Sequence, residues 1–293
     1  MDRYTNRIYY VGSNGGQAEP HLSVWNDEPP GAALPDTPAH GSALPLGAVA
    51  GVPGADFVWA IGPTTPLSGF SESPPAWVSS LSDPPAIPAQ QWSGLCSDAY
   101  TGLVVASDAV TRCLWLHNTD DAAWNPIQCK PVSNPLGVPG ALATDDYASL
   151  VWVVDREHNC LRKFLWSSDA PAPTYPPSLL EAWPPAPAAV QGYWDIRSFR
   201  PGNGFLGTPQ GIAMDEQGHA VFVLDRAGIW SFIETDGASA WQRVYTFPSA
   251  TRASGLATDQ FGGVFYVNCA DGRLLKIVEG SPNWTSQQLV PVP

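Results

Sequence analysis

Charge is scarce in this sequence, and basic charge is scarcest. Charged residues make up 14% of the chain, against about a quarter in ordinary soluble domains. Lys and Arg number 14 against 27 Asp and Glu, for a formal net charge of −13. The basic residues are scattered, and Arg156, Arg162 and Lys163 form the nearest thing to a cluster. Phosphate backbones are gripped by Lys/Arg grouped on one face, so no nucleic acid partner is expected. No run of about 18 apolar residues occurs, so no membrane span is expected. Met1 to Val11 is polar and then strand-like, without the apolar core of a signal peptide. The five cysteines, Cys96, Cys113, Cys129, Cys160 and Cys269, include no CxxC pair, which excludes a zinc ribbon. An odd cysteine count suits a reducing compartment. Together with the N-terminal stretch it favours an intracellular location. Asn283-Trp284-Thr285 is a glycosylation sequon, meaningful only on a secretory route. No segment keeps the 3.6-residue period of an amphipathic helix.

Turn formers and apolar residues are abundant. There are 27 Gly and 31 Pro, and 44% of the chain is hydrophobic. This is enough for a sizeable core punctuated by many turns. The strongest signal is internal repetition. Gly211-Ile212-Ala213-Met214-Asp215 is followed by Ala220-Val221-Phe222-Val223-Leu224-Asp225 and then Ile229-Trp230-Ser231-Phe232-Ile233. The same order recurs from Gly255, Ala141 and Gly94, more weakly from Gly47, and as a fragment from Met1. Copies thus begin near residues 1, 47, 94, 141, 211 and 255.

Each copy reads as one antiparallel blade of four strands. The first strand is short and small-sided, suited to a crowded central channel. The second is a near-continuous apolar run, as expected when both faces pack on neighbouring blades. The acidic residues that close these two strands (Asp98/Asp108, Asp145/Asp155, Asp215/Asp225) recur in step. Repetition in every blade favours turn-forming carboxylates over catalytic ones. A recurring tryptophan (Trp77, Trp124, Trp194, Trp241, Trp284) marks a fourth strand. Pro-rich stretches at 29–45 and 169–189 lack ladder donors and read as surface insertions of extended character. The fold expected is all-β: a single six-bladed β-propeller of four-stranded blades over residues 1–293.

The run Val153-Val154-Asp155-Arg156-Glu157-His158-Asn159-Cys160-Leu161-Arg162-Lys163-Phe164 resembles an NHL repeat, which ends in a V-x-D-x-x-N-x-R-I-x-x-F type pattern. Pro139 or Pro209 ahead of a Gly-Ile-Ala-x-Asp type strand fits the upstream part. Repeats of lactonase-like and strictosidine-synthase-like propellers share these short patterns. The resemblance implies a binding scaffold for proteins, RNA or small ligands, or, among relatives, a metal-dependent lyase or lactonase with its metal in the central channel. Fold does not choose among these.

The residues narrow the choice. Few acids precede the first strands, where Gln90, Gln91, Asn134, Asn203, Gln210 and Arg252 stand instead. His21, His40, His117, His158 and His219 are not spaced as ligand pairs. No catalytic residue, metal ligand set or cofactor is therefore singled out. The reading adopted is a non-catalytic scaffold that engages protein partners through its loop faces. One alternative is a propeller lectin, in which Trp77, Trp124, Trp194, Trp241 and Trp284 would stack on sugars. Inter-blade packing is the stronger explanation of such a series. Another alternative is a central-channel hydrolase of the lactonase or lyase type. The first copy lacks an inner strand, so its edge beside residues 8–11 could accept a partner strand. Cys113 and Cys129 fall nearly opposite each other on adjacent strands. Free buried thiols are expected there, since Cys113 and Cys160 occupy equivalent repeat positions.

Overall fold

Alternation within the second segment of each repeat sets the architecture. In the third blade Trp152 and Val154 enter one apolar layer, while Val151 and Val153 enter another. In the fourth blade Val221 and Val223 share the layer of Trp152, and Ala220, Phe222 and Leu224 face the next. Successive residues of a strand point to opposite faces. A run that is apolar at every position therefore lies between two neighbours, as the blades of a propeller do.

The computed structural model describes residues 7–12, 21–26, 48–51, 57–61, 67–72, 75–80, 91–97, 103–118, 123–129, 136–144, 150–167, 193–215, 220–235, 238–248, 251–259, 262–280 and 283–290. Both Pro-rich insertions fall outside them, and the strands at 7–12, 21–26, 75–80 and 123–129 are described by their backbone.

A two-stranded sheet comes first, β1 (Arg7–Gly12) with β2 (His21–Asn26). Five four-stranded antiparallel blades follow. The first holds β3 (Ala48–Gly51), β4 (Phe57–Ile61), β5 (Ser68–Glu72) and β6 (Pro75–Ser80). The second holds β7 (Trp92–Ser97), β8 (Leu103–Asp108), β9 (Cys113–Asn118) and β10 (Ala123–Cys129). The third holds β11 (Pro139–Thr144), β12 (Leu150–Asp155), β13 (Cys160–Ser167) and β14 (Tyr193–Phe199). The fourth holds β15 (Gly211–Met214), β16 (Ala220–Leu224), β17 (Gly228–Thr235) and β18 (Ala238–Thr246). The fifth holds β19 (Ala253–Thr258), β20 (Val264–Cys269), β21 (Leu274–Val278) and β22 (Thr285–Val290).

Within every blade the strands pair in sequence order. The β-propeller fold is thus as read from the repeats, but the blade number is not. The structure has five four-stranded blades where six were expected. Among the described residues the N-terminal copy contributes β1 and β2, and β1 runs beside β3. The physical reason is visible in the sequence. That copy has no small-sided first strand, and its downstream half runs into prolines between Pro29 and Pro45, which lack ladder donors. Among the described residues β1 pairs only with β2.

The core is a series of layers between blades. Trp59, Ile61, Leu67, Val104 and Trp115 fill the layer between the first and second blades. Leu114, Leu136, Val153 and Phe164 lie between the second and third. Burying a side chain of this size contributes about 1.5–3 kcal/mol. The turns between second and third strands repeat too. Arg112, Asn159 and Gly272 take positive φ values of 58°, 51° and 84° at the residue that re-aims the chain into β9, β13 and β21.

One expectation about cysteine is overturned. Cys96, Cys160 and Cys269 are free and buried, but Cys113 is disulfide-bonded. Its Cα partner across the β9–β10 ladder is Cys129. Register, rather than repeat position, decides the state of Cys113, since only this thiol has a second cysteine directly opposite.

Candidate functional site

The inner strands β3, β7, β11, β15 and β19 surround an axial cavity of about 340 Å³. Hydrogen bonds show that β3, β7 and β11 run in one direction, and the start of β15 at Gly211 lies against β19 near its start at Gly255 and Leu256. Ser93 Oγ, near the start of β7, donates to Pro139 O at the start of β11 at 2.7 Å. Ser97 Oγ, at the end of β7, donates to Gly51 O at the end of β3 at 2.9 Å. Small side chains are required here. A Cβ on Gly94 would lie 2.3 Å from Gly140 O.

Strand direction sorts the connections by end. Segments entering the inner strands, and turns joining second to third strands, all fall where the inner strands begin. Buried aspartates tie the two kinds of connection together. Asp108 accepts from Gln91 N, Val110 N and Thr111 Oγ1 at 3.0, 2.9 and 2.8 Å. Asp225 accepts from Leu206 N, Ala227 N, Gly228 N and Trp230 Nε1 at 2.7–2.9 Å. Asp155 accepts from Gly137 N at 3.1 Å, His158 N at 3.0 Å and Arg162 Nε at 2.9 Å, and pairs with His158 Nδ1 at 2.8 Å. All three carboxylates are fully buried. Burial by itself would raise the Asp155 pKa. The hydrogen bonds from the His158 backbone and ring, Gly137 and Arg162 outweigh that and hold it below the usual carboxylate value. The Asp155–His158–Arg162 trio is thus an anchored turn. In the fifth blade Cys269 occupies the register position of these aspartates.

The anchored end is rich in arginine. Arg112, Arg156, Arg226 and Arg273 lie in or beside second-to-third turns, and Arg200 and Arg252 lie in blade-to-blade connections. Arg200, Arg226 and Arg252 are exposed. Two exposed apolar side chains accompany them, Val110 (51% exposed) and Leu206 (57%). Two described acids at this end are engaged. Glu157 pairs with Arg112 at 2.8 Å and Asp271 with Arg273 at 2.8 Å. Asp215, Glu234, Asp259 and Glu279 lie at the opposite ends of their strands.

Arg156 differs from the other arginines of this end. It follows Asp155 and lines the axial cavity. Its guanidinium lies over Gly140, where an added Cβ would be 2.7 Å from Nε. That Nε is buried and has no hydrogen-bond partner among the described residues, and burial lowers the arginine's pKa. Arg226 follows Asp225 in the same way, but its stem lies along Gly207 instead. Sequence reasoning missed Arg156 as a site residue. The signal was a glycine at 140 where the aligned copies carry Ser93, Gln210 and Ser254.

The tryptophan series falls on the outer strands. Trp77 faces Phe70 in register, Trp124 faces His117, Trp194 faces Trp166 and Trp241 faces Phe232. Trp284 immediately precedes β22. Side chains are described for two of them. Trp241 meets Phe232 and Phe205 with ring centroids 4.6 and 5.3 Å away. Trp284 stacks on Phe265 at 4.8 Å. Both are partly buried against inter-blade layers. Neither Trp241 nor Trp284 lines the axial cavity. Among the described residues no three His, Cys, Asp or Glu are placed to hold a metal ion. No helix among them is long and apolar enough to cross a membrane.

No protein-family model matches the sequence, and no curated protein does. The likeness to NHL repeats therefore stays a likeness of local pattern. Solved structures share the fold. A nidogen/laminin complex aligns with a TM-score of 0.62 at 9% identity, over 97% of this chain and 93% of that one. A protein of unknown function from Bacteroides thetaiotaomicron aligns with a TM-score of 0.62 at 10% identity, over 97% of this chain and 67% of the other. The Cps50 (Swd1) β-propeller domain of Myceliophteria thermophila aligns with a TM-score of 0.59 at 9% identity, over 93% of each. At these identities the likeness shows a β-propeller and nothing finer.

Proposed function

We propose that the protein is a non-catalytic interaction scaffold whose anchored end engages a protein partner. The observation that carries this reading is the pairing of exposed Val110 and Leu206 with the exposed Arg200, Arg226 and Arg252 at that end. The partner-binding centre of an interface is typically apolar and enriched in arginine. The buried aspartates support the reading in a second way. By holding the connecting loops rigid they reduce the entropy lost on docking. The structurally similar nidogen/laminin complex is itself a protein complex.

Affinity capture with quantitative mass spectrometry tests the reading. Wild type is compared with a Val110→Asp/Leu206→Asp double variant and with an Ile233→Asp control. Ile233 is also exposed (41%) but lies on β17, away from the anchored end. Partners lost by the double variant and kept by the control support the scaffold. Identical partner sets in all three would sink it.

A further inference from the structure

Arg156 presents a charge that no described residue of the protein answers. Among the described residues its Nε is buried without a partner, although buried donors are nearly always paired in folded proteins. The acids closest to it in the chain are already engaged. Asp155 is fully buried and accepts from Gly137, His158 and Arg162, and Glu157 pairs with Arg112. Among the described residues no Asp or Glu lines the axial cavity. The remaining polar lining near the starts of the inner strands is neutral, from Ser93, Gln210 and Ser254. The guanidinium also has a made place. It occupies the space over Gly140, which any side chain would fill.

From this we infer that the axial cavity is a carboxylate-binding site, with Arg156 as the anion-recognising group and Ser93, Gln210 and Ser254 as neutral polar neighbours. A planar guanidinium matches a planar carboxylate through paired N–H donors. One positive charge among neutral groups balances one negative charge, and a dianionic phosphate would lack compensation in a chain of net charge −13. The cavity volume of about 340 Å³ sits at the small end of ligand pockets, which suits a short acid or a single side chain. Two sources offer that chemistry: a free small carboxylic acid, or a Glu or Asp side chain on a partner's acidic segment. The second source rests on the scaffold reading; the first does not.

Isothermal titration of the full chain separates the outcomes. The probes are butyrate, its neutral isostere butyramide, inorganic phosphate, a Glu-rich peptide and the same peptide with Gln in place of Glu. Expected is binding of butyrate or of the Glu-rich peptide, with neither butyramide nor the Gln peptide bound. Arg156→Gln should weaken binding about tenfold or more, the loss typical of a removed charge-assisted hydrogen bond. Gly140→Ala should weaken it comparably without changing net charge, by displacing the guanidinium. Arg156→Lys should restore only part of the affinity. An unchanged far-ultraviolet circular dichroism spectrum confirms that each variant is folded. Butyrate binding without peptide binding keeps the site and counts against the scaffold. Peptide binding about tenfold tighter than butyrate supports both. Equal affinity in Arg156→Gln, equal affinity for butyramide, preference for phosphate, or no carboxylate binding at all would overturn the inference.

Discussion

The guanidinium of Arg156 lies over the bare backbone of Gly140, so close that a single Cβ would come within 2.7 Å of its Nε. The two residues belong to one blade but to different elements, the turn after β12 and the inner strand β11. Their contact brings the charge to the channel while the rest of its turn stays with the loops.

The contact makes Gly140 a test of position without a change of charge. Because the obstructing atoms belong to a flexible side chain, Gly140→Ala should cost about 1 kcal/mol or less, well within the range of tolerated substitutions. The displaced guanidinium should then react faster with an arginine-selective dicarbonyl reagent, read by peptide mass mapping. Unchanged reactivity at Arg156 would mean that the side chain never occupied the space over Gly140.

Asp225 holds four donors at once. Asp225→Ala would leave all of them buried or half-buried, at about 1–3 kcal/mol for each unsatisfied group. A loss of about 3 kcal/mol or more in urea unfolding is expected, with Asp225→Asn intermediate. A loss below about 1 kcal/mol would show that the carboxylate is not what joins the loop at Leu206 to the turn at Ala227.

Asp155 supplies a pH signature. Its folded pKa lies below the ordinary value of 3.8, so its stabilising contribution is complete above the unfolded pKa of about 3.9. The contribution is lost as pH falls through the lower folded value. Below about pH 4 the melting temperature of wild type should therefore fall more steeply than that of Asp155→Asn. Parallel curves would remove Asp155 from the acid response.

The cysteines give a count. Unfolded without reductant, the chain should show three reactive thiols, from Cys96, Cys160 and Cys269, and after reduction five. A bridge closing a loop of this length is worth about 3 kcal/mol in the chain-entropy picture, so reduction should lower the melting temperature measurably. Five thiols before reduction would contradict the bridge at Cys113.

Much of the fold could be read directly. The apolar runs at Val151–Val154 and Ala220–Leu224, closed by Asp155 and Asp225, revealed second strands between two neighbours, and Gly-Leu-Ala-Thr segments revealed the channel lining. The blade number could be read only in part. The described part of the N-terminal copy holds two strands, yet its second strand, Arg7 to Gly12, matches the repeat well enough to suggest a full blade. The state of Cys113 depends on register across β9 and β10, which repeat position does not report. The site was the least legible. Arg156 over Gly140 is a contact between residues 16 apart whose partners look unremarkable singly: an arginine in a turn and a glycine in a strand.

Hydrogen–deuterium exchange of the protein alone and with a captured partner tests the account most directly, because it reads which end is covered. The account predicts slowed exchange in the turns at 109–112, 156–159 and 226–227 and in the connection at 202–210, with little change at Glu234, Asp259 and Glu279. Protection confined to that opposite end, with the arginine-bearing turns unchanged, would contradict it.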